Sequence, residues 1–333
     1  MAAPLAAIFG LSGAKLTARE RDFFADSQPW GFILFARNIA DPAQTAALTA
    51  ALRDAVGRDA HVLIDQEGGR VARMRGPHWR DWPDVRAFVR GLTPDRAERA
   101  LRLRYRLIAD ELRAVGIDVN CAPVLDAPQP GCHPFLIDRA AASDHALAAR
   151  FGHAIRQGLT EGGVLPVIKH MPGHGRADAD SHQRLPRVTA DAATLRATDF
   201  AVFRAHADAP MGMTAHVLYD AIDPEACGTF SAAVIAAIRD DIGFDGLLMT
   251  DDINMGALEG TVAQRSARAL TAGCDVVLHC SGDFEEMRSV AAAVPRLAGR
   301  ALARAQAVRR ADAAPLDVAE AEREMRSLTC AHA

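Results

Sequence analysis

Gly246-Leu-Leu-Met-Thr-Asp-Asp-Ile-Asn-Met-Gly-Ala-Leu-Glu-Gly-Thr-Val-Ala-Gln264 decides the reading of this chain. A short apolar run ends on two carboxylates, a glycine-containing turn follows, and Thr261-Val-Ala-Gln264 opens a helix as a capping box. That is one β/α unit. Working outward, apolar runs of the same kind lie at Leu5 to Phe9, Gly31 to Phe35, His61 to Ile64, Ile117 to Ala122, Leu165 to Ile168, Met211 to Ala215, Leu247 to Thr250 and Asp275 to His279. Helical patterns separate them. Thr17-Ala-Arg-Glu20 is a second capping box, and Asp41-Pro42 sets an N-cap before a first-turn proline. Eight such units, with no GxGxxG turn after the first strand, predict an α/β protein built as a single (β/α)8 TIM-type barrel rather than an open nucleotide-binding sheet. An irregular barrel, with one strand reversed or missing, is the alternative that strand counting leaves open. The chain reads as one barrel domain over 1–333, with Ala- and Arg-rich closing helices at about 283–329 packed on the outside. Disorder is expected only in the last residues, Thr329 to Ala333.

Half of the 333 residues are hydrophobic, enough for one barrel core and its tail without a second domain. The 38 Lys and Arg against 42 Asp and Glu leave a net charge of -4 spread along the chain, which argues against a nucleic-acid partner. Six cysteines form no CxxC pair and read as free thiols of a reducing compartment. Met1 to Gly10 lacks a basic n-region, and its apolar run is too short for a signal peptide or a membrane span. A cytoplasmic protein, monomeric and without membrane contact, is the expectation.

In a barrel of this type the chemistry sits at the carboxyl ends of the strands, so the decisive residues are those that end each apolar run. The third run leads into Asp65-Gln-Glu-Gly-Gly-Arg70, with Arg73 expected one helical turn beyond Arg70. The fourth leads to Asn120 and Asp126, the fifth to Lys169-His170, the sixth to His216 and the seventh to Asp251-Asp252. Any one of these could be a helix cap or a surface charge. Together they would face one concave mouth and hold a polar ligand by several hydrogen bonds.

Asp251 is the cleanest candidate nucleophile, because an apolar strand rather than a loop carries it to the rim. Alternation along an extended chain sends Asp252 the other way, toward a capping or orienting role. The stretch from Lys169 to His182 holds three further histidines beyond the strand, His170, His174 and His182, with Asp180 two residues before the last. A carboxylate holding one ring nitrogen leaves the other free as a proton carrier near neutral pH. By spacing alone, acid/base work, a metal cluster and a merely hydrated loop all remain open.

These residues resemble the family 3 glycoside hydrolases, and within that family the bacterial β-N-acetylglucosaminidases. The resemblance covers most of the chain. It rests on Ile64-Asp-Gln-Glu-Gly-Gly-Arg-Val71, Lys169-His-Met-Pro-Gly-His-Gly175 with Asp180-Ser-His182, and Gly246 to Asp252, supported by Cys121-Ala-Pro-Val-Leu-Asp126 and Thr214-Ala-His-Val217. It implies a retaining mechanism with Asp251 as nucleophile and His182, oriented by Asp180, as acid/base. It also implies that Asp65, Arg73, Arg139, Lys169 and His170 hold the non-reducing sugar, with no metal or other cofactor. The implied substrate is a small amino sugar or muropeptide: N-acetylglucosamine joined to 1,6-anhydro-N-acetylmuramic acid, with or without peptide, from cell-wall turnover. Two places depart from the family pattern. Met171 replaces an aromatic, and Leu136-Ile-Asp-Arg-Ala-Ala lacks the glycine and aromatic usually flanking the arginine.

Four other readings fit the residue types. One is a β-glucosidase-like member of the same family. A metal-dependent hydrolase would use His170, His174, His182 and Asp251, a Schiff-base lyase would use Lys169, and a binding protein would turn nothing over.

Overall fold

The computed structural model describes residues 3–179, 184–310 and 312–329. Eight parallel strands, Leu5–Phe9, Pro29–Leu34, His61–Ile64, Val119–Asn120, Leu165–Met171, Met211–Thr214, Leu247–Asp252 and Val276–His279, pair in chain order, and the eighth closes on the first. None is reversed. The eight apolar runs all become strands because a strand buried on both faces must be apolar almost throughout.

Alternation divides each strand between two cores. Ala6, Ile8, Leu63, Val119, Val167, Met211, Leu247 and Met249 fill the lumen, while Ala7, Phe9, Val62, Ile64, Ile168 and Leu248 pack outward against the helices. This parity continues past the apolar runs. Asp65, Lys169 and Asp251 share the phase of Leu63, Val167 and Met249, so they rise from the lumen at its carboxyl end.

Helix starts lie where the caps indicate. Thr17 and Thr261 each complete a capping box, and the Asp41 side chain accepts from the Gln44 N–H ahead of helix Pro42–Val56. Helix Pro94–Ala114 packs against His145–Glu161 and against the final helix Val318–Thr329.

Several boundaries differ from the sequence reading. The second strand starts at Pro29 and ends at Leu34, and Phe35 instead precedes a short turn in which its N–H donates to Asn38 Oδ1. The fourth strand shrinks to Val119–Asn120 because the chain bulges there: the Ala122 N–H turns back to the Asn120 carbonyl, and pairing with the fifth strand resumes at Val124 opposite Lys169. The fifth and seventh strands run further, through Met171 and Asp252, so Lys169, His170 and Asp251 stand on strands. Arg73 is not one helical turn beyond Arg70: Gly68 and Val71 bridge antiparallel, and the segment doubles back as a tight loop.

The C-terminal helices are Phe284–Ala293, Gly299–Ala307 and Val318–Thr329. The middle one does not pack on the barrel's flank. Leu297, Ala305 and Val308 join the lumen cluster, so this segment plugs the end opposite the carboxyl ends of the strands. Arg304 and Arg310 fasten it there, through Asp245 and Asp275 for the first and Asp59 and Asp118 for the second.

Candidate active site

A cavity of about 230 Å³ opens at the carboxyl ends of the strands. Asp65, Arg73, Arg139, Lys169, His170 and Asp251 all line it, together with Arg70, His174 and Asp252. Strict alternation would send His170 outward; it lines the mouth beside Lys169, and the peptide bond between the two is cis.

An ion cluster forms one side. Lys169 Nζ donates to Asp65 Oδ1 at 2.9 Å and contacts Glu67 Oε1 at 2.7 Å. Arg73 Nη2 reaches Asp65 Oδ2 at 3.1 Å, and Arg139 grips Glu67 with both Nε and Nη2. Burial would raise both carboxyls, but the cations outweigh it: Asp65 is held well below its usual range, and Glu67 is brought down to about 2, chiefly by Arg139 and Lys169. Burial would likewise deprotonate Lys169, yet Asp65 and Glu67 hold its ammonium above the usual value. A lysine that is 2% exposed and locked between two carboxylates is no free amine, which counts against the Schiff-base reading.

Asp126 organises the next side. Its Oδ2 lies 2.7 Å from His170 Nδ1, and its Oδ1 accepts from the His174 backbone N–H. His170 Nε2 in turn faces Arg139 Nη2 at 3.5 Å. With a carboxylate on one nitrogen and a guanidinium against the other, His170 is poorly placed as a metal ligand. Among the described residues, no group of three or more His, Cys, Asp or Glu side chains is placed to hold a metal.

Asp251 sits across from this cluster, its Oδ1 accepting the Asp252 backbone N–H at 2.8 Å. Burial favours its neutral form, but His170, His216, that N–H and Lys169 together hold its carboxyl below the usual range, so it is ionised at neutral pH. Alternation would send Asp252 away from the cavity, yet it lines it; its Oδ1 also accepts from the N–H groups of Asn254 and Cys280, tying the seventh strand to the eighth. Burial, with Asp251 alongside, pushes Asp252 up to about 6. His216 does not reach the cavity. Its Nδ1 pairs with the Thr229 hydroxyl and its Nε2 with the Asp252 carbonyl, so it braces the strand that carries Asp251 from outside the cavity.

Asp180 and His182, the expected acid/base pair, lie outside the described residues. Asn120 does not line the cavity; it clasps the Gln66 backbone at both N–H and C=O, while the Gln66 amide pins Arg73 and Met74. Five residues in or behind the cavity wall escaped the sequence reading as site residues. Glu67 could have been found, since it lies two positions from Asp65 on an extended segment and so faces the same way. Phe35 and Phe135, which flank the cavity, have no local signal. Arg104 and Tyr105, buried on helix Pro94–Ala114, both donate to the Glu67 carbonyl, a contact that no local pattern announces.

A closed parallel barrel with carboxylates and cations converging at the carboxyl ends of its strands is the frame of a barrel enzyme. The glycosyl hydrolase family 3 N-terminal domain matches residues 5–311, and the chain belongs to that family; it is a glycoside hydrolase. It is 36% identical over 301 residues to a β-hexosaminidase of Xanthomonas campestris pv. campestris (strain B100), spanning 89% of this chain and 88% of the relative. A β-hexosaminidase of Chromobacterium violaceum is 37% identical over 294 residues, 86% of this chain and 81% of its own. Native NagZ from Neisseria gonorrhoeae superposes with a TM-score of 0.87 at 27% identity, covering 98% of both chains, and the same protein is solved in complex with N-trifluoroacetyl-D-glucosamine. A family 3 β-N-acetylglucosaminidase from Paenibacillus sp. str. FPU-7 gives 0.85 at 27% identity, covering 97% of this chain, which spans 66% of that longer one.

Proposed function

We propose that this chain is a retaining exo-β-N-acetylglucosaminidase, one catalytic barrel domain that removes terminal N-acetyl-β-glucosamine from small cell-wall fragments in the cytoplasm. The physiological substrate on this reading is N-acetylglucosaminyl-1,6-anhydro-N-acetylmuramic acid, with or without peptide. The observation that carries it is Asp251, an ionised carboxylate on a rigid strand, facing a cavity walled by Asp65, Lys169, Arg139 and His170. The relatives named β-hexosaminidases, and the glucosamine derivative bound to the Neisseria protein, supply the amino sugar.

In the first step Asp251 attacks the anomeric carbon, the glycosidic bond breaks, and the leaving oxygen takes a proton from His182, which Asp180 holds in position. In the second, His182 removes a proton from water, whose oxygen displaces Asp251 and restores the β configuration. Asp65, Arg73, Arg139, Lys169 and His170 hold the non-reducing sugar. Their clasped pairs leave little to reorganise when its hydroxyls arrive. No metal or cofactor takes part, and one chain suffices.

The test is release of nitrophenol from 4-nitrophenyl N-acetyl-β-glucosaminide, with and without chelator. Wild-type turnover that survives chelator and collapses in Asp251→Ala is the expected result. A folded wild type that leaves this substrate intact but cleaves the β-glucoside would replace the reading with a β-glucosidase, and one that cleaves neither would make it a binding protein.

A further inference from the structure

His174 lines the cavity, is 2% exposed, and has neither ring nitrogen hydrogen-bonded among the described residues. Buried polar nitrogens left without partners are destabilising, so a native pocket is expected to bring polar groups to them.

The backbone is built to aim this ring. Gly173 has a φ of 140° and lies against Asp199, and its carbonyl accepts from the Tyr219 hydroxyl. The His174 N–H is held by Asp126 Oδ1 at 2.6 Å. Gly175 lies so close to the Ala127 backbone that a Cβ there would collide with it, and its carbonyl accepts from the Gln129 N–H. Three consecutive residues are thus anchored by three separate parts of the chain, 126–129, Asp199 and Tyr219. The ring itself packs edge-on to Phe135, with centroids 5.3 Å apart, and to His170 at 5.8 Å. Burial, with His170 and Arg139 nearby, pushes the imidazole down to about 4 despite Asp126, so it is neutral at physiological pH and offers one donor and one acceptor.

We propose that His174 binds the sugar directly, hydrogen-bonding an uncharged polar group of it, a hydroxyl or the acetamido amide, and so helps set specificity. This rests on the glycosidase reading and adds to it a ligand contact. A neutral imidazole suits such a group: it can satisfy a hydroxyl from either side, and it adds no charge to a cavity whose lining charges already oppose one another.

The experiment compares His174→Phe, which keeps a flat ring in the wall, with His174→Asn, which keeps a donor and an acceptor. Each is assayed for kcat/KM on 4-nitrophenyl N-acetyl-β-glucosaminide and for inhibition by N-acetylglucosamine. The expected result is a loss of roughly 10- to 100-fold in kcat/KM for the phenylalanine variant, with weaker inhibition by the sugar, and a smaller loss for asparagine. A folded His174→Phe within twofold of wild type on both counts overturns the contact. No turnover by the wild type overturns the glycosidase reading and the contact together. Should His174→Phe not fold, ring-nitrogen NMR of the wild type decides: N-acetylglucosamine should shift the His174 resonances, identified by their absence from His174→Asn, and unshifted resonances overturn the proposal.

Discussion

Glu67 grips Arg139 at two points, Nε at 2.9 Å and Nη2 at 2.8 Å, across 72 residues of chain. The guanidinium fork matches the carboxylate as no ammonium could, and Lys169 takes the same carboxylate from another strand. Glu67 therefore serves as the keystone of the ion cluster on this side of the cavity while itself only 2% exposed.

Removing that charge should be costly. Glu67→Gln leaves Arg139 and Lys169 undercompensated, with an expected loss of about 3–5 kcal/mol in urea unfolding. Because the Glu67 carboxyl is lowered from 4.5 to about 2 on folding, its stabilisation is present above pH 4.5 and disappears as pH falls toward 2. The gap between wild type and variant should accordingly close over that range. A constant gap would show that the ion pair contributes nothing to acid sensitivity.

Asp252 has the opposite sign. Its carboxyl is raised from 3.8 to about 6, so the folded state holds the proton more tightly, and its contribution is present below pH 3.8 and lost as pH rises through 6. Relative to wild type, Asp252→Asn should gain stability between about pH 4 and 6 and run parallel above. Thermal unfolding across that range checks it, and a flat difference would show that Asp252 titrates as an ordinary aspartate.

Arg104 is a fully buried guanidinium whose Nε and Nη1 lack partners among the described residues, resting against Trp82, Phe88 and Tyr105. Its desolvation cost offsets the bonds that Nη2 makes to the Glu67 and Pro83 carbonyls. Arg104→Met should therefore stay within about 1 kcal/mol of wild-type stability. Its kcat/KM should still fall several-fold, because Glu67 loses an anchor. Tyr105→Phe, which removes one neutral hydrogen bond, should cost about 1 kcal/mol. A large stability loss in Arg104→Met with unchanged activity per folded molecule would reverse this assignment.

His182→Ala separates acid from nucleophile. Nitrophenolate leaves without help, whereas a sugar alkoxide needs a proton, so the variant should lose far more kcat/KM on a disaccharide than on the nitrophenyl substrate. Equal losses on both would mean that His182 does not protonate the leaving group. Asp180→Asn should show the same asymmetry in weaker form.

Much of this was legible in the chain itself. The eight apolar runs, the two capping boxes and Asp41-Pro42 are local patterns, and local physics is sufficient to read them: a short continuous apolar run makes a strand buried on both faces, and a side-chain oxygen three residues before a free N–H starts a helix. Alternation also told Asp251 from Asp252 on the seventh strand, while the shared lumen-side phase of Asp65 and Lys169 is seen only in the fold. The family motifs then marked five residues as expected sugar contacts, and all five line one cavity.

What only the tertiary structure decided is who pairs with whom. Asp65 and Lys169 are 104 residues apart, Glu67 and Arg139 are 72 apart, and Asp126 and His170 are 44 apart. The plugging of the barrel's far end by Leu297, Ala305 and Val308, where flank packing was expected, is of the same kind. A sequence states which groups a strand presents and on which face. The distance between two such groups is set by closure of the sheet, and a charge's ionisation is set by the partners that closure delivers.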